Sequence, residues 1–237
     1  MIEEAIILAG GLGTRLRSVV SDRPKCLALV DGRPFLEYLI TYLSKKNIRH
    51  FIFSLGYKSE MIIEFLNQKF PKLNYSYVTE DEPLGTGGAI KLALGKSKTE
   101  RVLICNGDTF FKIDLNQLEL YHNYYKVTCT VALKPMINFS RYGSVELYAD
   151  GSIRVFKEKE FREQGLINGG IYLLEKRAIL NESLPDKFSF ETDFLEKKVT
   201  EKGKIFGNIQ DVFFIDIGIP EDYQRAQTEG ELLSVVK

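Results

Sequence analysis

Short apolar runs alternate with stretches of helical period through the first half of this chain. Residues 5–8, 50–55, 75–79 and 102–105 have strand length and are rich in β-branched or aromatic side chains, whereas 35–46, 59–70 and 87–94 repeat apolar positions at the spacing of one helix face. Strand and helix in alternation predict an α/β fold, a Rossmann-like mixed, mostly parallel sheet flanked by helices. Ligands of such sheets bind outside the carboxyl ends of the strands. Motifs at Gly10, Gly85 and Asp108 lie just past three of those ends.

The second half changes character. Residues 127–133 and 144–157 show strand-type alternation, with Asp150-Gly151 as a hairpin turn, and 166–174 reads as a buried strand. Helices are expected at 192–201 and 221–233, with strands at 205–210 and 213–217. No Pro/Gly/Ser-rich linker, repeat or low-complexity segment interrupts the chain, so residues 1–237 read as one domain with halves of about 1–110 and 111–237.

Composition narrows the class without identifying it. At 237 residues and 44% hydrophobic the chain can bury a substantial core, and a net charge of zero with no basic block argues against nucleic acid or an anionic membrane as partner. Cys26, Cys105 and Cys129 are scattered without metal-ligand spacing and read as small core residues. No signal peptide and no run of membrane-spanning length is evident, so a cytoplasmic location is expected.

Candidate chemistry concentrates in Leu8-Ala9-Gly10-Gly11-Leu12-Gly13-Thr14-Arg15-Leu16, followed by Pro24-Lys25. A buried strand opening into a glycine-rich turn brings backbone N–H groups close to a polyphosphate, since glycine has no Cβ and accepts positive φ. An arginine and a lysine on the same loop can neutralise the charge that develops when a phosphoryl or nucleotidyl group moves. Leu16 stands where a dinucleotide-binding G-x-G-x-x-G needs glycine, and no G-x-x-x-x-G-K-[ST] occurs. The loop therefore reads as a third kind of nucleoside-triphosphate site.

These residues resemble the signature of the sugar-1-phosphate nucleotidylyltransferases, which make nucleotide sugars. The resemblance runs through Glu82-Pro83-Leu84-Gly85-Thr86-Gly87-Gly88-Ala89, Asn106-Gly107-Asp108, Phe156-Lys157-Glu158-Lys159 and Phe214-Ile215-Asp216-Ile217-Gly218-Ile219-Pro220-Glu221. Within the family, Arg141-Tyr142-Gly143, the stretch 164–172 and Phe188-Ser189-Phe190-Glu191 look most like the D-glycero-α-D-manno-heptose 1-phosphate guanylyltransferases. The resemblance implies the nucleotide-diphospho-sugar transferase, GT-A-like fold, with a nucleotide half and a sugar half. The sequence ends soon after the last expected helix, so the β-helical or second catalytic domain that some relatives append is not expected. The product would then be a GDP-heptose, a donor for bacterial surface polysaccharide.

The resemblance assigns roles residue by residue. Leu8, Ala9, Gly10, Gly11, Gly13, Thr14, Glu80, Gly85, Thr86, Gly88 and Asn106 are expected at the nucleotide, and Gly143, Glu158, Lys159, Asn168 and Gly169 at the sugar phosphate. Arg15 is expected over the β- and γ-phosphates, Lys25 over the α-phosphate, and Asp108 and Asp216 as ligands of Mg²⁺. The attacking phosphate oxygen is already ionised, so no general base is required, and His50 and His122 read as structural. Glu80 favours GTP, because guanine presents two adjacent donors to a carboxylate whereas uracil and thymine present one N–H between acceptors. Glu80-Asp81-Glu82 as a merely solvated acidic face is the bland alternative.

Other readings stay open at this point. They are mannose 1-phosphate with GTP, an amino-sugar phosphate with UTP, a silent nucleotide-sugar sensor and a metal-dependent glycosyltransferase; the absence of D-x-D spacing counts against the last. Oligomeric state is not legible. Cys26, Leu29 and Ser18-Val19-Val20 depart from proline-bearing positions common in the family, which implies a less rigid loop.

Overall fold

The computed structural model describes residues 1–201 and 204–236, without the side chain of Glu158. The chain opens with β1 (Glu4–Leu8), the glycine loop, a two-residue ribbon β2 (Leu29–Val30) and β3 (Arg33–Pro34), and α1 (Phe35–Lys45). There follow β4 (His50–Leu55), α2 (Ser59–Lys69), β5 (Tyr75–Thr79), α3 (Gly85–Leu94), β6 (Arg101–Asn106) and β7 (Thr109–Phe111). The second half contains α4 (Leu115–Tyr125), β8 (Cys129–Phe139), β9 (Gly143–Leu147), β10 (Ile153–Lys159), β11 (Arg162–Glu175), α5 (Arg177–Leu180), a π-helix at Phe190–Glu196 running into α6 (Lys197–Thr200), β12 (Ile205–Ile209), β13 (Phe214–Asp216), α7 (Pro220–Ala226) and α8 (Gly230–Leu233).

One sheet organises the molecule in the order β10-β9-β11-β6-β1-β4-β5, with β8 beside β11 and β12 beside β8. The core strands β6, β1, β4 and β5 are parallel, and β11 joins them antiparallel to β6, so the sheet is mixed as expected. After β1 the chain builds outward through β4 and β5, then crosses back to lay β6 on the other side of β1. That reversal opens a crevice at the carboxyl ends of β1 and β6. Register aligns Leu8 with both Ser54 and Asn106, which sets the starts of three functional loops at one level.

Both faces of the sheet are covered. Ile7, Phe51, Phe53 and Leu103 pack with Leu36, Leu39 and Leu43 of α1 on one side, while Ile6, Ile52 and Ile104 pack with Ile90, Ala93 and Leu94 of α3 on the other. Burial on both faces explains why β1 reads as an unbroken apolar run.

The short pair β7 and β13 stands apart from the main sheet and joins Asp216 to Thr109 in register. Two expectations are corrected. The helix expected at 221–233 is two helices, because the chain turns at Gln227–Glu229 and restarts at Gly230. The helix expected at 192–201 begins as a π-helix, capped by Ser189, whose side chain accepts from the Thr192 N–H. The histidines are structural, as read: His50 contacts Glu4 and Ser76, and His122 contacts Thr130 and Glu175. All three cysteines are buried and free.

Candidate active site

The glycine loop is built to keep its donors unspent. Gly13 sits at φ 60°, and a Cβ there would stand 3.2 Å from the Lys25 side chain, so glycine lets the two limbs of the loop close on each other. Among the described residues, the N–H groups of Gly11, Leu12 and Gly13 have no protein acceptor. The Ala9 N–H is instead spent on the Ser54 carbonyl at 2.9 Å. Leu16 and Val20 are buried and pin the loop, the Arg17 guanidinium lies 5.1 Å from the centre of the Tyr57 ring, and Lys58 Nζ donates to the Asp22 carbonyl at 2.7 Å. These ties hold the loop where the family's prolines are missing.

Beyond the loop, a cavity of about 320 Å³ is lined by Leu8, Gly10, Gly11, Glu80, Thr86 and Asn106 together with Asp108 and Gly85. Glu80 is aimed by its neighbours: Oε2 accepts the Leu84 N–H at 2.9 Å and Oε1 the Ser54 hydroxyl at 3.3 Å. A Cβ on Gly10 would come within 2.9 Å of that same carboxylate, so Glu80 is part of the cavity wall rather than a solvated face. Asn106 reaches the cavity because Gly170, at φ 68°, leaves room: a Cβ there would meet the Asn106 amide at 2.5 Å.

A second cavity has a volume of about 270 Å³. Arg15, Arg141, Gly143, Lys159, Asn168 and Glu191 line it, together with Asp216. A narrow cleft that adjoins the first cavity at Leu8, Gly11 and Asp108 holds Ala9, Gly13 and Lys25 against Asp108. The Lys25 ammonium and the Asp108 carboxylate are paired directly. Asp108 follows β6 and Asp216 ends β13, and the Ile217 N–H donates to the Asp108 carbonyl at 3.0 Å, so the two aspartates share one site.

Electrostatics at that junction are strained in an informative way. Burial, and then the charge of Asp108, push the Asp216 carboxyl above its ordinary pKa, while Lys25 pulls it back. Two carboxylates near enough to repel, with a lysine paired to Asp108, form a hard-oxygen donor set that a divalent cation would relieve. Among the described residues, no group of three or more His, Cys, Asp or Glu could hold a metal. A two-carboxylate site suits Mg²⁺, which retains waters and takes further oxygens from phosphates.

Residues 4–231 match the family model described as Nucleotidyl transferase. The chain belongs to the nucleotidyl transferase family. It is 51% identical, over 95% of its length and 97% of the relative's, to the D-glycero-α-D-manno-heptose 1-phosphate guanylyltransferase of Aneurinibacillus thermoaerophilus. The enzyme of the same name from Campylobacter jejuni is 48% identical over 93% of this chain and 96% of its own. Among solved structures, HddC from Yersinia pseudotuberculosis complexed with GMP-PN superimposes with a TM-score of 0.87 at 37% identity, covering 95% of this chain and 98% of that one. The sheet and its neighbours make this the nucleotide-diphospho-sugar transferase, GT-A-like fold.

Against this nucleotidyl transferase framework, several expected site residues shift. Gly88 does not line the nucleotide cavity: its N–H donates to the Phe188 carbonyl and a Cβ there would meet the Asp186 carbonyl at 2.2 Å, so it is a packing glycine. Gly169 makes room for the Phe111 ring, where a Cβ would stand 2.5 Å away, and does not itself line the second cavity. Thr14 opens an exposed turn and lines none of these three cavities, and Arg15 stands on the wall of the second cavity. The side chain of Glu158 lies outside the described residues. Unforeseen lining residues are Arg141, Ser144 and Glu191. Arg141, in the turn between β8 and β9, and Glu191 stood in the motifs named above, but only the fold-back of 184–190 onto the second glycine loop brings Glu191 to the cavity.

Proposed function

We propose that this chain transfers a guanylyl group from GTP to D-glycero-α-D-manno-heptose 1-phosphate, giving GDP-heptose and pyrophosphate. The observation that carries this is near-full-length identity, 51% and 48%, to two guanylyltransferases of that substrate, in a chain where Asp108 lines one cavity, Asp216 lines the other and Lys25 pairs with Asp108. GTP fits the cavity of Glu80: one carboxylate accepts guanine N1–H and the 2-amino group together, whereas a uracil edge would set carbonyl oxygens against it.

In the reaction an ionised oxygen of the sugar phosphate attacks the α-phosphorus in line. The new oxygen–phosphorus bond forms as the bond to the β-phosphate oxygen breaks, and pyrophosphate leaves with that electron pair. The second ionisation of a phosphate monoester lies near about pH 6, so no base is needed to make the nucleophile. The residues' task is to hold anions together. The unspent N–H groups of Gly11, Leu12 and Gly13 cradle the triphosphate, Lys25 offsets charge at the α-phosphate, and Arg15, which lines the second cavity, offsets charge on the departing pyrophosphate. Lys159, with Arg141 beside it, receives the sugar phosphate. Asp108 and Asp216 would hold Mg²⁺, which supplies Lewis-acid neutralisation of phosphate oxygens when bound.

The need for a nucleoside triphosphate supports a cytoplasmic location for the reaction. No helix among the described residues is long and apolar enough to cross a membrane. The test is pyrophosphate release with Mg²⁺, crossing five nucleoside triphosphates with the phosphates of heptose, mannose and N-acetylglucosamine. Turnover with GTP and the heptose is expected to be far faster than with any other pair. Faster turnover with mannose 1-phosphate or with UTP would keep the family and discard this substrate pair.

A further inference from the structure

Phe188-Ser189-Phe190-Glu191 belongs to neither cavity by sequence position, yet the chain folds it between them. Phe188 docks on the second glycine loop: its N–H donates to the Leu84 carbonyl at 3.0 Å, its carbonyl accepts the Gly87 N–H at 3.0 Å, and its ring occupies the space a Gly87 Cβ would need. Ser189 then caps the π-helix, an uncommon turn that here rotates Glu191 inward. Glu191 Oε2 accepts the Thr86 hydroxyl at 2.5 Å and the Ser189 hydroxyl at 3.2 Å, while Oε1 accepts the Tyr172 hydroxyl at 3.2 Å. Tyr172 in turn accepts from the Asn168 amide at 2.9 Å.

The accounting leaves one opening. An ionised carboxylate offers about four acceptor positions, and three are filled, leaving one on Oε1. Tyr172 remains a donor because burial and the adjacent Glu191 push its phenol well above its ordinary pKa. Thr86 lines the nucleotide cavity, whereas Glu191 and Asn168 line the second one. A single carboxylate thus holds the nucleotide loop with one oxygen and faces the other substrate with its second.

Resting on the function proposed above, we propose that Glu191 reads a hydroxyl of the sugar and couples the two substrate sites through Thr86. A sugar hydroxyl donating to Oε1 fixes the carboxylate, which fixes the Thr86 hydroxyl and the Gly85-Thr86 loop. Linkage makes the effect reciprocal, so each substrate tightens the other by the same factor.

Initial rates over a matrix of both substrate concentrations give that factor directly. In the unmodified protein the KM for GTP falls several-fold as the sugar 1-phosphate rises. Glu191→Gln, which keeps size and removes charge, is expected to bring the factor to about one and raise the sugar KM roughly tenfold, the loss of one charge-assisted hydrogen bond, with kcat within about threefold. A thermal melt checks folding. Should Glu191→Gln not fold, Thr86→Val carries the test: it cuts the link on the nucleotide side and must also abolish the factor, and Thr86→Ser must restore it. A folded Glu191→Gln with an unchanged factor and sugar KM, or an unmodified protein with no mutual effect, overturns the inference. The sugar used is whichever the unmodified protein turns over fastest, so a sugar other than heptose discards the substrate assignment alone. If no pair turns over, calorimetric GTP binding with and without heptose 1-phosphate reads the same factor.

Discussion

Lys25 and Asp108 are in direct contact across the cleft beside the Glu80 cavity, the lysine on the glycine loop and the aspartate just past β6. The lysine is thereby held beside a half-buried acidic pair, whose charge it offsets, and under the proposed function it faces the α-phosphate. Lys25→Ala is expected to lower kcat by roughly a hundredfold or more, as loss of a charge-stabilising group at a reacting phosphate does. A melting temperature shifted by only a few degrees would separate this from misfolding. Full activity in the variant would remove Lys25 from the site.

Glu80 makes a base-specific prediction. Glu80→Gln keeps an acceptor oxygen for the Leu84 N–H but sets an amide donor or a weaker acceptor toward the base, leaving a guanine N–H unpaired. The kcat/KM for GTP should fall by roughly thirtyfold to a hundredfold, while the slow rates with UTP and dTTP stay within about threefold. Initial rates with the five triphosphates decide it; an equal fall for all of them would make Glu80 a loop support and not a base reader.

Away from the site, Glu4 gives the chain a pH signature. Burial would raise its carboxyl pKa, but hydrogen bonds from Ser97, His50, the Lys98 N–H and Thr99 outweigh burial and bring it from 4.5 down to about 2. A depressed carboxylate contributes stability in full above its unfolded pKa and loses it as pH falls toward the folded one. The contribution at neutral pH is on the order of 3 kcal/mol. Glu4→Gln should therefore melt well below the unmodified protein at pH 7, and the gap should narrow steadily between pH 5 and pH 2. A constant gap across that range would refute the assignment.

The parallel half of the fold was legible because buried strands and amphipathic helices each leave a period, and 50–55 and 75–79 match β4 and β5 residue for residue. The glycine loop was legible because its residue types serve one chemistry. Glycines were harder. Gly10 and Gly170 make room for site side chains, whereas Gly88 and Gly169 make room for backbone and ring packing, and nothing local in the sequence separates the two uses. Glu191 was hidden for a different reason: its contacts to Thr86 and Tyr172 are 105 and 19 residues apart in the chain. Helical periodicity also cannot distinguish an α-turn from the π-turn that aims it.

Ser144 supplies a prediction whose two halves have opposite signs. Its hydroxyl is buried, with the residue 3% exposed, lines the second cavity, and has no hydrogen-bond partner among the described residues. A buried hydroxyl without a partner costs about 1–3 kcal/mol, a penalty that folding alone gives no reason to retain. Its place on β9, one residue past Gly143, gives the reason: a sugar or phosphate oxygen entering the cavity completes the bond. Ser144→Ala should accordingly raise the melting temperature of the free protein while raising the KM for the sugar 1-phosphate by about threefold to tenfold. If the hydroxyl were structural, the same change would lower the melting temperature and leave KM alone, so a melt and a KM on one variant decide between a substrate contact and a scaffold residue.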